Sequence, residues 1–336
     1  MFLFCFWCIK YIGHLPASVF HYIKCERNIC VNFADRKLFM ENNTSMTALV
    51  SLFSRAYHTK RSVSSVYCDE LAEKLMTKEE YETVAFSMKN GAAFFFPNFD
   101  GTPDEALDKI VNTRLAPAVV ARAAFCLDAL KNSVMLGAKQ LLLLGSGYDS
   151  MPYREEFRGK LKAFELDRKE MTEDKLMRLE RANIAHDHVS FVPCDLSAEF
   201  ESGLFSAGFK KDERCFVSML GLCHYLDESA FSSLLEKLSA LLCEGCDVVF
   251  DYPLKTFDEN PTVTEKLALG AGETMKTKYS YPELEKLLSE HGFKIYEHLA
   301  KDEIDERFFV PHNAFTSETG LMSSPGDFAL CHAVKK

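Results

Sequence analysis

Gln140-Leu141-Leu142-Leu143-Leu144-Gly145-Ser146-Gly147-Tyr148-Asp149-Ser150 is the stretch whose reading decides the fold. An unbroken run of leucines that stops abruptly at a glycine reads as a strand buried on both faces, as in a parallel sheet. Gly145 and Gly147 lack a Cβ, so the chain turns tightly there and a ligand can approach the main chain. In an open α/β sheet, the carboxyl end of the first strand is where a nucleotide-like ligand sits. Alone, the motif serves a plain strand-to-loop turn equally well. The position five residues after Gly145 is Ser150, not the third glycine of a dinucleotide fingerprint, which speaks against a nicotinamide or flavin enzyme.

Outward from this stretch, strands and helices alternate. Lys162 to Leu166, Val189 to Val192, Cys215 to Leu220 and Asp247 to Phe250 read as strands. Lys169 to Ala182 and Ser229 to Leu242 read as helices between them. That alternation predicts a parallel sheet with right-handed crossovers. Upstream, Leu115 to Val134 reads as a helix with Pro117 in its first turn, a stripe of Val119, Val120, Ala123, Leu127 and Leu130, and Gly137 as its stop. Arg122 lies to one side of the stripe and, by position alone, is a solvated charge. Met46 to about Ala85 has a helical pattern, and Pro97 to Pro103 is a polar loop. Ser280 and Glu283 form a capping box for a helix closed by Gly292. Phe293 to Tyr296 and Phe328 to Val334 are the last strands, with a long polar loop between them.

The chain's 336 residues suffice for one large domain with additions. A net charge of -10 and the absence of a basic cluster argue against a nucleic-acid partner. The twelve cysteines are scattered, several in apolar runs, which points to a reducing, cytoplasmic setting. Cys5 with Cys8 and Cys243 with Cys246 have half-site spacing, yet no companion pair stands at finger spacing, so no metal site is assigned. Residues 1–45 differ from the rest. Phe2 to Ile9 is aromatic and far too short for the roughly 20 residues a membrane span needs. This segment is expected to be a leader or loosely ordered, with the folded protein starting at Met46.

The strand ends supply the candidate chemistry. An acid just past the second strand is placed to accept from the two hydroxyls of a ribose. Glu165 and Asp167 both qualify, being two apart on one face. After the third strand, Asp195 can accept from an exocyclic amine while Leu196 packs on a purine. Each singly is more often a surface acid near a turn. In this order behind a glycine loop, they favour an adenosine-containing cofactor.

Gln140 to Arg154, Phe164-Glu165-Leu166-Asp167, Phe191 to Leu196 and Ser218 to Leu226 together resemble the leucine carboxyl methyltransferase family, over roughly residues 51–334. The resemblance implies a class I S-adenosylmethionine-dependent O-methyltransferase of the bacterial polyketide O-methyltransferase-like branch. Its fold would be a Rossmann-like α/β sheet of seven strands, mostly parallel, with an antiparallel last strand. The implied organisation is a helical lid or substrate cap over residues 46–114 and a cofactor-binding domain over 115–336. By the same resemblance Gly145, with Gly147, meets the cofactor through its backbone, Asp167 rather than Glu165 holds the ribose, and Asp195 and Leu196 address the adenine. Arg122 would pair with the methionine carboxylate, a task a guanidinium suits better than an ammonium. Arg55 matches a second basic residue loosely. Leu220 stands where the eukaryotic carboxyl methyltransferases have a glutamate, so their protein substrate is not carried over. His224 and Tyr225, after the fourth strand, are the catalytic candidates near the methyl acceptor, a small molecule or a peptide carboxylate methylated on a carboxyl or hydroxyl. The competing readings are a core tyrosine with a solvent-facing histidine, and a non-catalytic S-adenosylmethionine-binding regulator or scaffold. The oligomeric state is left open.

Overall fold

Seven strands form one sheet in the order β3-β2-β1-β4-β5-β7-β6. They are β1 (Gln140–Leu144), β2 (Lys162–Asp167), β3 (Val189–Pro193), β4 (Cys215–Met219), β5 (Asp247–Pro253), β6 (Phe293–Leu299) and β7 (Phe328–Lys335). Pairings among β1 to β5 are parallel, and β7 runs antiparallel to both β5 and β6. This is the class I methyltransferase architecture expected from the alternation and the resemblance. The structure is a computed structural model and describes residues 45–255, 265 and 275–336; the expectations for residues 1–44, including Cys5 and Cys8, lie outside them.

The leucine run behaves as its composition demands. All of β1 is buried, with Leu141 and Leu143 in one core layer and Leu142 and Leu144 in the other, the period of a strand. Each such leucine contributes about 1.5–3 kcal/mol by leaving water. Gln140 is buried too, and its amide is satisfied by the main chain of Lys210, donating to the carbonyl at 2.7 Å and accepting from the amide at 2.8 Å.

The first layer is covered by α1 (Met46–Arg61), α2 (Glu70–Leu75), α3 (Lys78–Asn90), α4 (Pro103–Ile110) and α5 (Ala116–Met135). Leu49, Leu52 and Phe53 of α1 share one apolar core with Val120 and Phe125 of α5 and Leu141 of the sheet. These N-terminal helices are therefore packed on the sheet rather than tethered to it. Arg178, on α6 (Lys169–Arg181), fastens them further by donating to Glu80 of α3 at 2.6 and 2.8 Å and to the carbonyl of Leu75 at 3.0 Å. On the second face lie α7 (Glu228–Leu241) and α8 (Tyr281–Glu290).

Helices α4 and α5 are one rod of 33 residues, Pro103–Met135, joined by a π turn at Val111–Leu115. Pro117 has no N–H and crowds the preceding turn, so the wider turn before it relieves the ladder. Among the described residues this is the one helix long and apolar enough to cross a membrane, and 67% of its apolar window is buried in the protein.

The segment between the last strands is not the plain polar loop its composition suggests. Lys301–Ile304, Asp305–Phe309 and Val310–Asn313 are helical, and they bury Ile304, Phe308, Phe309 and His312. A second π turn here again precedes a proline, Pro311. Cys243 and Cys246 are free thiols with sulfurs 3.5 Å apart, and Cys246 is packed in the core just before β5.

Candidate functional site

The glycine loop leaves β1 at the carboxyl rim of the sheet. Gly145 has φ +65° and Gly147 φ +45°, both in the left-handed region where a side chain is strained. Gly145 N–H donates to Leu166 O at 2.8 Å, which pins the turn to β2. A Cβ on Gly147 would meet nothing nearer than the Ala48 Cβ at 3.8 Å, so this face of the loop is open. Asp167 ends β2 beside it. Its Oδ2 accepts from Gly147 N–H at 2.7 Å and its Oδ1 from Arg168 N–H at 2.8 Å. Asp149 is internal to the loop, accepting from Met151 N–H at 2.8 Å.

After β3, Asp195 is exposed and accepts from the Ser197 hydroxyl at 2.7 Å and amide at 2.9 Å. Those bonds hold its carboxyl below the ordinary aspartate range. Leu196 beside it is half-buried against the second core layer.

Glu165, the other β2 acid read from the sequence as a candidate for cofactor contact, faces the protein interior. It shares the strand with Asp167 but lies two residues deeper, about 7 Å from the rim at strand rise, and is 1% exposed. Lys175 of α6 stands 2.6 Å from its Oε2, and the Tyr153 hydroxyl donates to its Oε1 at 2.7 Å. Burial pushes this carboxyl up against the downward pull of Lys175 and Tyr153. These contacts join α6 to β2.

Arg122, on α5, is half-buried at the same rim, and its Nη1 donates to Asp251 Oδ2 at 3.1 Å. The solvated-charge reading of Arg122 thus gives way to an inward-facing cation. Asp251 was not singled out in the sequence. It lies on β5 one residue past Phe250, which pairs with the last residue of β4, so β5 outruns its neighbour and carries the acid to the rim. His224 Nε2 stands 2.9 Å from the same Oδ2, and Gly221 N–H donates to Oδ1 at 2.6 Å. Burial opposes a charge on Asp251, but Arg122, His224 and the Gly221 amide outweigh it and hold the carboxyl far below its usual range. Gly221 has φ +68°, and a Cβ there would fall 2.8 Å from Arg122 Nη1.

His224 lies in the short turn Cys223–Tyr225 and is buried, not solvent-facing. Tyr225 is half-buried, its ring edge-on to His224 at 6.4 Å between centroids, rather than sealed in the core. Arg55 is buried in α1. It donates through Nε to Asp69 at 2.8 Å and through Nη2 to Tyr148 O at 2.7 Å, tying α1 to the glycine loop. Burial works against its charge, and Asp69 with Asp149 more than restores it.

A strand-end glycine loop, an acid at the end of β2, another after β3 and an inward arginine on the preceding helix are the set expected at the carboxyl rim of a class I S-adenosylmethionine-dependent methyltransferase. The family model for leucine carboxyl methyltransferase matches residues 48–239. YktD of Bacillus subtilis (strain 168), classed with the S-adenosyl-L-methionine-dependent methyltransferases, is 32% identical over 309 residues, covering 88% of this chain and 99% of that protein. A similarly classed protein of Frankia alni, FRAAL3718, is 33% identical over 39% of this chain and 46% of its own length. In fold, the chain is similar to a duf574 family protein from Streptomyces avermitilis, with a TM-score of 0.55 at 9% identity over 88% of this chain and 99% of that one. The chain belongs to the leucine carboxyl methyltransferase family, and its cofactor is S-adenosylmethionine.

The donor set fits that cofactor: an open backbone face at Gly147, a rim carboxylate at Asp167, and a guanidinium at Arg122 with N–H groups beyond the one given to Asp251. Among the described residues no group of three His, Cys, Asp or Glu is placed to hold a metal ion.

Proposed function

We propose that the protein is an O-methyltransferase whose acceptor is a carboxyl or hydroxyl group of a small molecule or a peptide. The observation that supports this reading is the His224–Asp251 pair, 2.9 Å apart, at the end of β4 and beside Arg122. Bound S-adenosylmethionine supplies an activated methyl group on a positive sulfur. On this reading Arg122 binds its carboxylate, Gly145 and Gly147 line it with backbone, Asp167 accepts from the ribose, and Asp195 with Leu196 receives the adenine. Arg55 keeps the cap seated on the loop.

An ionised aspartate only accepts hydrogen bonds, so in the neutral imidazole of His224 the proton sits on Nε2 and the lone pair on Nδ1. Nδ1 is buried and has no hydrogen-bond partner among the described residues. It is the atom to take a proton from a hydroxyl acceptor, a contribution of roughly 10²–10⁴-fold. A carboxylate acceptor has no proton to give and needs only alignment, which supplies on the order of 7–11 kcal/mol in favourable cases.

The test is transfer of a labelled methyl group to a panel of matched alcohols, phenols, carboxylic acids, amines and thiols, with products identified by mass. Ethers or esters are expected. Products methylated only on nitrogen or sulfur would refute the oxygen assignment. With a hydroxyl acceptor, His224→Ala should lower turnover by about 10²-fold or more and flatten the pH profile.

A further inference from the structure

Asp251 is the most heavily bonded acid of the site, and nothing in the family signature points to it. Its Oδ2 serves two side chains that approach from different parts of the chain, Arg122 from α5 and His224 from the turn after β4. Its Oδ1 takes the Gly221 amide at 2.6 Å, the first peptide of that same turn. The carboxylate is 1% exposed and thus screened from bulk solvent. Gly221 closes the other side of the guanidinium, where a Cβ would come within 2.8 Å of Nη1 and 2.9 Å of Nη2. Arg122 is thereby gripped between an anion that fixes Nη1 and a peptide that leaves room for nothing larger than hydrogen. A planar guanidinium held at one corner presents its other N–H groups in a set direction.

We propose that Asp251 is a positioning residue for the cofactor: it aims Arg122 at the carboxylate of the methionine moiety and, through Gly221 and His224, locks the acceptor-side turn to the same point. The proposal rests on the reading of Arg122 as the carboxylate-binding residue. It implies that cofactor affinity depends on a group that never touches the cofactor, and that this dependence is confined to ligands carrying the amino-acid carboxylate.

That restriction gives the test. Calorimetry on the full chain compares S-adenosylhomocysteine with its decarboxylated analogue, which keeps the adenosine, the sulfur and the amine. Asp251→Asn is expected to weaken S-adenosylhomocysteine about 10-fold or more, the scale of a misaligned charge-assisted contact, and to leave the analogue within about twofold. Arg122→Lys should show the same selective loss, and the double variant should lose little beyond either single one. Equal weakening of both ligands by Asp251→Asn would reduce Asp251 to a structural acid and overturn the proposal. Tighter S-adenosylhomocysteine binding would also overturn it, making Asp251 a competitor for Arg122. A selective loss in Arg122→Lys without one in Asp251→Asn overturns the proposal alone, whereas no selective loss in Arg122→Lys overturns the reading of Arg122 and the proposal with it. Should Asp251→Asn fail to fold, Gly221→Ala crowds the guanidinium while the Asp251 carboxylate itself is retained. It must then lose S-adenosylhomocysteine selectively, and an unselective loss overturns the proposal.

Discussion

Glu165 and Asp251 are both acids on strands, both 1% exposed, and both within ion-pair distance of a cation. They nonetheless do different things. Glu165 sits below the rim, enclosed by α6 and Tyr153, and burial pushes its carboxyl up. Asp251 sits at the rim and is held far below the ordinary range, because a guanidinium, an imidazole and a backbone amide converge on it. Burial alone does not separate a structural acid from a site acid. Depth relative to the carboxyl rim does, together with the number of donors and where they come from.

The pair should titrate in opposite senses. Asp251, depressed in the folded state, contributes stability that is present above its unfolded value of 3.8 and lost as pH falls below it. Glu165, raised above 4.5, runs the other way, so its ionisation costs stability as pH rises through that value. Lys175→Met should break the comparison most severely. It leaves Glu165 buried without its cation at a cost of about 3–5 kcal/mol, read by urea denaturation, while the folded fraction keeps its S-adenosylhomocysteine affinity. A loss of affinity larger than the loss of stability would show that Glu165 belongs to the site after all.

His58 extends the comparison to a buried group with no charged donor. Its Nε2 accepts from Val66 N–H at 2.9 Å and its Nδ1 meets the Ser62 hydroxyl at 2.9 Å, while burial and His312 push it from 6.5 down to about 4. A depressed histidine favours the folded state above its unfolded value, so stability should fall as pH drops from 6.5 toward 4, by up to about 3 kcal/mol. His58→Gln should flatten that limb of the stability profile. An unchanged limb would assign the acid sensitivity elsewhere.

Asp167→Ala sharpens the contrast between the two acids of β2. On the proposed reading it weakens S-adenosylhomocysteine by roughly 10–100-fold, the worth of a hydrogen bond to a charged group, whereas Glu165→Gln changes affinity less than about twofold. Equal effects would erase the distinction between rim and depth. Asp195→Asn is the smallest expected change. Its amide oxygen still accepts from Ser197, so stability should move by less than about 0.5 kcal/mol, with only a few-fold loss of affinity by calorimetry.

The same contrast explains what the sequence disclosed. The leucine run, the alternation and the acids after β2 and β3 depend on local pattern, and the sheet follows from them. Arg122 was reached through the family signature; its helix alone marks it as a surface charge. Asp251 was hidden because an acid followed by Tyr252 and Pro253 reads as the end of a strand. The strand continues because its backbone pairs with β7, Asp251 opposite Leu330, and the acid's side-chain partners lie 129 and 27 positions away, which no local window contains. The helices between β6 and β7 were obscured for a similar reason, since their apolar residues are interleaved with charges and a proline that a π turn accommodates.

Asp167 is held by two backbone amides, one on each carboxylate oxygen. A carboxylate offers about four lone-pair sites. The amides of Gly147 and Arg168 take one on each oxygen, which freezes the rotor when the chain folds. On the proposed reading, the remaining lone pairs accept the two protons of a ribose diol. On that reading the loop and the acid meet the ribose with their torsional entropy already surrendered, because Gly147 and Arg168 fix the carboxylate beforehand.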